Sequence, residues 1–492
     1  MKLYQLLIAT FVGTQFAFIS FAADDAATNS TEAAEIEALK QEVRQLDQKI
    51  ENLESQHKAE QQTAAGADKE QIQDLDQKVR ILERQRELDQ QTAADTAKTA
   101  PRITLGASGF GFSSADSNFV ATLHGLIQED SRTFFKDNPL TKGNDAFLLR
   151  RARPIFSGTV FRDFDFLFTP DFGGSAVQIL DVYVNYRYNP ELQLEAGKFK
   201  SPVGLEQLQS DSVMLFNERS IVNDLVPNRD LGVELHGDLF GGVLSYAAGI
   251  FDGAPDYLGT TVNTDTDNDK AFAGRIFLQP LKTSGVAALQ GLGFGVGGSY
   301  EDDRNGAAGL TGGYTTDGQQ KFFTYAAGVV ANGTHWRISP QGYYYYGPFG
   351  ILGEYVISDQ VVSRTTAPLV SADLRNTAWE ISGGWVLTGE DASYVGVTPK
   401  HPFDPRKGQW GAWQVVARYA DLNIDSAAFP NFASATASAS EAKAWSAGIN
   451  WYLNKDIRVN ASFSRTTFTG GTTGAVTKQP ENVLFTRIQL AF

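Results

Sequence analysis

The sequence predicts an all-β protein: a transmembrane antiparallel β-barrel of about 16 strands, preceded by an N-terminal α-helical coiled-coil segment. Apolar and polar residues alternate along many short segments after residue 101, and the 492 residues include 47 Gly and 33 Phe. After the N-terminus, no apolar run reaches the roughly 18 residues that a membrane-spanning helix needs. If this chain crosses a membrane, strands therefore cross it.

Residues 1–22 have the pattern of a secretory signal peptide. Lys2 supplies a positive charge, Leu6 to Phe21 is mostly apolar, and Ser20-Phe21-Ala22 places small residues at the usual cleavage positions. The sequence therefore predicts export through a bacterial inner membrane and removal of these residues.

Residues 23–90 contain two apolar runs at helical spacing, which predict a periplasmic coiled coil. The runs are Ile36, Leu39, Val43, Leu46, Ile50 and Leu53, then Ile72, Leu75, Val79 and Leu82. Such a helix cannot bury its apolar seam alone, so we expect self-association, with packing against another surface as the alternative. The small, polar residues 91–101 predict a linker that ends at Pro101.

Residues 102–492 form the predicted barrel, and the alternation is clearest between Phe147 and Glu206. In LDVYVNYRY, one face carries Leu180, Val182, Val184, Tyr186 and Tyr188, and the other carries Asp181, Tyr183, Asn185 and Arg187. The same stretch contains Arg150, Arg151, Arg153, Lys198 and Lys200, although the formal net charge of the chain is -15. One apolar and one polar, basic face suit the wall of a water-filled barrel, so we predict a pore that favours anions.

Later segments repeat the pattern. Phe164, Phe166 and Phe168 lie opposite Asp163 and Asp165, and Trp413, Val415, Ala417 and Tyr419 lie opposite Gln414 and Arg418. Connecting stretches of very unequal length indicate tight turns at one barrel end and long loops at the other. The chain closes on an apolar alternation that ends at Phe492, which resembles the insertion signal of outer-membrane proteins.

Composition excludes most enzyme and metal chemistry. The chain contains no Cys, and its five His residues form no His-x-x-x-His pair. Gly293 to Gly298 satisfies G-x-G-x-x-G but lies inside a strand pattern, and the acidic run that begins at Asp265 lacks the Gly and Glu of a calcium loop. We therefore expect no enzymatic activity, no cofactor, no metal site and no nucleic-acid partner.

Several blocks resemble the phosphate-selective porin O and P family of Gram-negative outer membranes. They are FLLRRARPIFSG, AGKFKSPVGLEQL, NRDLGVELHGDLFGG, AFAGRIFLQP, WQVVARYADLNID and INWYLNKDIRVNASF. The resemblance implies a homotrimer of barrels in outer-membrane lipid and lipopolysaccharide, each constricted by an inward loop and lined by Arg and Lys that pass small, phosphate-like anions. The Ile or Val and Leu pattern of the helices favours a two-stranded coil instead, so the oligomeric state of the coil stays open.

When this sequence is matched to the family residue by residue, the resemblance places Arg150 and Arg151 at the constriction. It places Lys198 or Lys200, together with Ser201, at the start of the constricting loop. That loop would span roughly Gln207 to Arg229 and contribute Arg219 and Arg229. The alternation also directs Arg187, Arg418 and Arg458 into the lumen, and with Arg153 they complete the predicted anion pathway.

Three observations keep other functions open. Residues 253–270 are rich in Asp and contain one Lys, where phosphate-specific family members carry arginines, so a less selective anion porin fits equally well. Inward acids such as Asp181, Glu195 and Glu380 would suit a general or sugar-permeable porin in which the arginines are neutralised. The coiled coil would suit a structural anchor of the outer membrane.

Overall fold

The computed structural model describes residues 37, 40–56, 69–106, 109–135, 143–174, 176–258, 268–471 and 478–492. The predicted signal peptide, residues 1–22, and most of the segment between the two apolar runs lie outside these residues. The chain divides into two compact units, Met1–Ala100 and Pro101–Phe492. Among the helices that the structure describes, none is long and apolar enough to cross a membrane.

The first unit is helical where it is described, over residues 40–56 and Lys69–Thr99. Arg86 of the second helix forms an ion pair of 2.7 Å with Asp47 of the first. The apolar side chains of Val43 and Leu46 remain 45% and 41% exposed. The helices occur where the apolar spacing predicts them, and their association as a coiled coil remains a prediction.

The linker predicted over residues 91–101 is helical as far as Thr99. This stretch contains Ala93, Ala94 and Ala97, and alanine has the highest intrinsic helix propensity. The small, polar composition therefore extends the helix rather than ending it.

Twenty strands lie in the described residues after Pro101. They are β1 (Arg102–Gly106), β2 (Gly109–Ser113), β3 (Val120–Phe134), β4 (Ala146–Val160), β5 (Phe164–Asp171), β6 (Gln178–Asn189), β7 (Leu192–Lys200), β8 (Arg229–Leu239), β9 (Leu244–Phe251), β10 (Ala271–Leu278), β11 (Leu292–Gly306), β12 (Tyr314–Thr315), β13 (Lys321–Phe323), β14 (Val329–Tyr346), β15 (Phe349–Arg364), β16 (Ser371–Val386), β17 (Ala412–Asn423), β18 (Ala439–Tyr452), β19 (Ile457–Gly470) and β20 (Glu481–Ala491). Short helices span Leu205–Leu208 and Ala287–Gln290, and 3-10 turns span Ile221–Leu225, Pro405–Lys407 and Ser426–Ala428.

Sixteen of these strands, β3 to β11 and β14 to β20, form one closed antiparallel ring. The ring closes between β20 and β3, where Arg487 lies opposite Asp130 and Leu490 opposite Ile127. The hairpin of β1 and β2 continues this seam, because β2 pairs with the first residues of β3. The predicted barrel of about 16 strands is confirmed.

The two faces of the wall follow the predicted alternation. Phe164 pairs with Tyr186 and both are exposed on the outer surface, whereas Asp165 pairs with Asn185 on the inner one. Successive side chains of a strand point to opposite faces, so the apolar row meets lipid and the polar row meets the lumen.

Several connecting segments contact the inner wall of the barrel. We name three of them the inward loop (residues 201–228, between β7 and β8), the inward hairpin (307–328, between β11 and β14) and the turn segment (387–411, between β16 and β17). The strand order places the turn segment at the end of the barrel opposite to the inward loop and the inward hairpin. The turn segment contacts the inward loop, because the hydroxyl of Tyr394 donates to the carbonyl of Leu205 at 2.6 Å. The inward loop includes the predicted constriction, whereas the sequence did not predict the other two segments.

Apolar residues of two inward segments share a core with the barrel wall. Val222 and Leu225 of the inward loop and Phe322 of the inward hairpin join Val356 and Leu422 in one buried cluster. Burial of each large apolar side chain contributes about 1.5–3 kcal/mol. The core therefore fills part of the lumen and holds both segments in place.

Candidate functional site

A β-bulge in β4 brings two consecutive arginines to the lumen. Gln128 of β3 pairs with Arg151, and the next residue, Glu129, pairs with Leu149, so Arg150 is the extra residue of the bulge. In a regular strand these neighbouring side chains would point to opposite faces. Here both guanidinium groups reach carboxylates of the inward loop.

The bulge is covered by the chain that follows β5. The amide of Phe172 donates to Ala152 at 2.9 Å, and that of Gly174 donates to Leu149 at 3.2 Å. Between them, a Cβ at Gly173 would lie 2.8 Å from both the carbonyl oxygen of Arg150 and the Cα of Arg151. Only glycine therefore fits against the bulge at this distance.

We expect Gly173→Ala to displace Arg150 and Arg151 and to destabilise the barrel by about 1–3 kcal/mol, because the added methyl group overlaps backbone atoms. Thermal unfolding and the reversal potential of single channels measure the two effects. Gly106→Ala is the matched control, since a Cβ there meets no described atom within 4 Å. Equal behaviour of the two variants would contradict the role of Gly173.

Glu218 of the inward loop binds arginines from two strands. Arg150 donates from Nε and Nη2 to its two carboxylate oxygens at 2.6 and 3.0 Å, and Arg132 donates from Nη2 at 2.7 Å. Burial opposes ionisation of Glu218, but Arg150 and then Arg132 outweigh it, so the pKa of Glu218 lies below its ordinary value. The side chain of Arg150 is still 30% exposed, against 4% for Glu218.

Asp211 of the inward loop collects three further arginines. Its carboxylate accepts from Arg219 at 2.5 Å, lies 3.4 Å from Arg151, and accepts a short hydrogen bond from Arg153. Burial again opposes ionisation, but Arg151, Arg219 and Arg153 hold the pKa of Asp211 well below its ordinary value. Gln128 supports the same contact, since it donates to the Asp211 carbonyl at 3.0 Å and accepts from Arg151 at 2.7 Å.

Other wall cations hold the backbone of the inward loop. Lys200 donates to the carbonyl of Gln209 at 2.7 Å, and Arg458 donates to that of Met214 at 2.8 Å. Arg487, beside them, binds Asp130 through two hydrogen bonds of 2.6 and 2.8 Å.

These side chains form one arginine cluster with more cations than acids. Its cations are Arg132, Arg150, Arg151, Arg153, Lys200, Arg219, Arg458 and Arg487, and its carboxylates are Asp130, Asp171, Asp211 and Glu218. Among the described residues, four of its buried guanidinium nitrogens have no hydrogen-bond partner: Arg132 Nε, Arg151 Nε, Arg458 Nε and Arg487 Nη1. The cluster therefore carries surplus positive charge and unused donors.

The pKa values of Asp211 and Glu218 predict an anion selectivity that is insensitive to pH near neutrality. A depressed carboxyl pKa means that the ion pairs are complete above the ordinary values of about 3.9 and 4.3, and weaken only as the pH falls toward the lower folded values. Titration of Asp211 and Glu218 should therefore leave the reversal potential constant between about pH 8 and about pH 5. A midpoint inside that window would show that another group controls the selectivity.

Four other predicted pathway residues lie outside the cluster. Arg229 binds Asp181 through hydrogen bonds of 2.8 and 3.1 Å, and Lys198 is buried within the electrostatic influence of both. Ser201 is buried at the start of the inward loop, where its amide donates to Asn228 at 3.1 Å. Arg187 is 43% exposed and lies 3.6 Å from Asp165.

Arg418 has a mainly structural position. It binds Glu206 of the inward loop at 3.2 Å and Asp317 of the inward hairpin at 2.9 Å, and its guanidinium stacks on Phe216 at 4.6 Å. The side chain is 2% exposed. Arg418 therefore connects the two inward segments and offers little surface to a passing ion.

The sequence analysis missed Arg132, Asp211 and Glu218 as parts of the site. Arg132 could have been found, because it shares an inner face with Gln128 and Asp130 in the alternation of β3. Glu218 lies 68 residues from the Arg150 that it binds, in a loop without periodicity, so no local pattern connects them.

A closed barrel with connecting segments folded against its inner wall and a local cluster of cations around one of them is the architecture of a porin. The sequence model of the family described as "Phosphate-selective porin O and P" matches residues 122–492, and the chain belongs to this family. Porin O of Pseudomonas aeruginosa is 25% identical over 393 residues, which are 72% of this chain and 84% of that protein.

Two solved structures have a similar fold. The outer membrane channel DcaP of Acinetobacter baumannii superimposes with a TM-score of 0.50 and 12% identity, over 78% of this chain and 99% of that chain. OmpT of Vibrio cholerae gives a TM-score of 0.48 and 12% identity, over 80% of this chain and 100% of that chain.

Proposed function

We propose that this outer-membrane porin lets small, phosphate-like oxyanions diffuse passively through the passage beside the arginine cluster. The observation that carries the proposal is the cluster's composition, in which eight cations and four carboxylates lie around the inward loop. An anion that loses water in a narrow passage needs replacement donors and positive charge.

Arginine suits this task because its planar guanidinium offers paired hydrogen bonds to an oxyanion and stays charged at every relevant pH. Arg150 is the member whose side chain is most open to the passage, whereas Arg151 and Arg153 are 3% and 9% exposed. Arg150 would therefore contact the ion directly, and the buried members would act through their electrostatic field. Several binding sites of moderate affinity allow a bound ion to dissociate again, as passive diffusion requires.

A second candidate, a porin with weak ion selectivity, is favoured by the pairing outside the cluster. Arg229, Arg187 and Arg418 each lie within ion-pair distance of an acid. Arg150 is itself paired with Glu218 at 2.6 Å. If that pairing neutralises its charge as well, the passage would discriminate little between ions.

A bilayer measurement separates the two candidates. Purified wild-type protein in a potassium chloride gradient should give a reversal potential of anion sign, and added phosphate should reduce the chloride current. A potential near zero that phosphate leaves unchanged would support the weakly selective porin instead.

We also infer that the chain is a homotrimer in outer-membrane lipid and lipopolysaccharide, exported by the signal peptide at 1–22, with residues 23–90 as a periplasmic coiled coil. Val43 and Leu46 support the coil, because their exposed apolar side chains require a partner surface.

Deletion of residues 32–90 should leave single-channel conductance intact. Lost conductance would contradict an independent barrel, and lost envelope attachment alone would support the anchor function.

A further inference from the structure

A second polar cluster lies on the inner wall formed by β11 and β14. Glu301, Asp303 and His335 are all buried, and each offers a ligand atom, with these atoms within 4.8 Å of one another. We propose that these three side chains bind a divalent transition-metal ion of the Zn²⁺ type, a site distinct from the proposed anion pathway.

The strand register builds this arrangement. Glu301 and Asp303 are two residues apart on β11, so their side chains share one face. Glu301 lies directly opposite His335 of β14 in the antiparallel pairing, which brings the imidazole beside the carboxylate. The three ligands therefore come from rigid strands and not from a loop.

The charges at this position favour a cation. Three carboxylates, those of Asp256, Glu301 and Asp303, lie around one guanidinium, that of Arg337. Arg337 is 2.7 Å from Asp256 but 3.4 Å from Glu301, so its positive charge is balanced mainly by Asp256. Buried carboxylates are normally ion-paired, hydrogen-bonded or bound to metal, so a dication suits a position where two of them meet one imidazole.

The shortest ion pair of Arg337 is with Asp256 and not with the three proposed ligands. The carboxylate of Asp256 accepts from Arg337 Nε at 2.7 Å, and also from Tyr314 at 3.1 Å and from Ser358 at 2.7 Å. Arg337 Nη2 lies 3.2 Å from His335 Nδ1 and 2.8 Å from the carbonyl of Ala254. Ion binding at that imidazole nitrogen requires Nη2 to turn fully toward the carbonyl.

Two glycines from neighbouring loops cover the carboxylates. A Cβ at Gly253 would overlap Glu301 Oε2, and one at Gly309 would overlap the carboxylate of Asp303. The cover excludes bulk water, which strengthens the attraction between carboxylates and a dication. One imidazole and two carboxylates suit Zn²⁺ and neighbouring first-row ions.

The test is metal binding by the full-length protein after treatment with a chelator. We expect one tightly held Zn²⁺ per chain by competition with a chromophoric chelator, visible absorption bands on Co²⁺ substitution, and a higher melting temperature with Zn²⁺. His335→Gln and Glu301→Gln should each weaken binding about 100-fold or more. His236→Gln, a control on β8 whose ring bonds to Asn185 at 3.2 Å, should bind as the wild type does.

Single-channel conductance verifies that each variant is folded. The proposal is overturned if wild-type protein binds no Zn²⁺, or if binding survives both His335→Gln and Glu301→Gln. In either case the imidazole would instead bridge Asp256 and Glu301, from which its two nitrogens lie 3.4 Å each. The melting temperature of the wild-type protein with and without Zn²⁺ tests binding without any substitution. The proposal can therefore be decided even if a variant folds poorly.

Discussion

Replacing Asp211 with alanine is expected to destabilise the folded barrel by about 3–5 kcal/mol, because it leaves buried guanidinium groups without their counter-charge. Arg151 and Arg153 are 3% and 9% exposed, so water cannot compensate for the lost carboxylate. The inward loop should also lose one of its attachments to β4, since Arg153 binds Asp211 from that strand, whereas the bond from Arg150 to Glu218 remains. Thermal unfolding in detergent micelles measures the first effect, and increased current noise reports the second.

Asp165→Ala is the matched control for this substitution. Asp165 pairs with one arginine, Arg187, at 3.6 Å, and both side chains are partly exposed. Pairs of this kind contribute up to about 1 kcal/mol, so the control should unfold almost as the wild type does. If the two alanine variants were equally stable, Asp211 would not be the anchor of the inward loop.

The parts of the fold that the sequence predicts are those that follow from local periodicity. The rows Val182, Val184 and Tyr186 outside and Asp181, Tyr183 and Asn185 inside follow from period-two alternation alone. The bulge at Arg150 does not, because it depends on how β4 pairs with Gln128 and Glu129 of another strand. The predicted arginine pair was placed at the lumen by family resemblance, and the bulge supplies the physical reason.

The inward hairpin could not be predicted because its anchors are distant in sequence. Asp317 accepts hydrogen bonds from Arg418, Ser446 and Ser464, which are 101, 129 and 147 residues away. Each of the three wall residues looks like an ordinary inner-face position on its own. Only the closed barrel brings them to one carboxylate.

The sequence also does not show which charged residues pair with one another. Composition gives an acidic total of -15, and alternation identifies inward arginines, but neither shows which arginine is neutralised. Arg418 and Arg150 look equivalent in sequence, whereas their side chains are 2% and 30% exposed in the fold. The packing of the inward segments against the wall therefore decides which of them can meet an anion.

Arg150 and Glu218 offer two substitutions with opposite expected effects on anion selectivity. Arg150→Ala removes a partly exposed arginine side chain, and we expect phosphate to block the channel about tenfold more weakly, which corresponds to about 1.4 kcal/mol. Glu218→Gln keeps the shape of the side chain but removes its charge, so Arg132 and Arg150 gain uncompensated positive charge. That variant should be more anion-selective than the wild type in the same potassium chloride gradient.

Arg406→Ala controls for the loss of a positive charge as such, because Arg406 is exposed in the turn segment. It should leave both the reversal potential and the phosphate block unchanged. Opposite shifts for Arg150→Ala and Glu218→Gln would show that the charge balance at this pair sets selectivity. Shifts in the same direction would mean that both substitutions act by moving the inward loop, and the surplus charge of the arginine cluster would then not be the cause of anion preference.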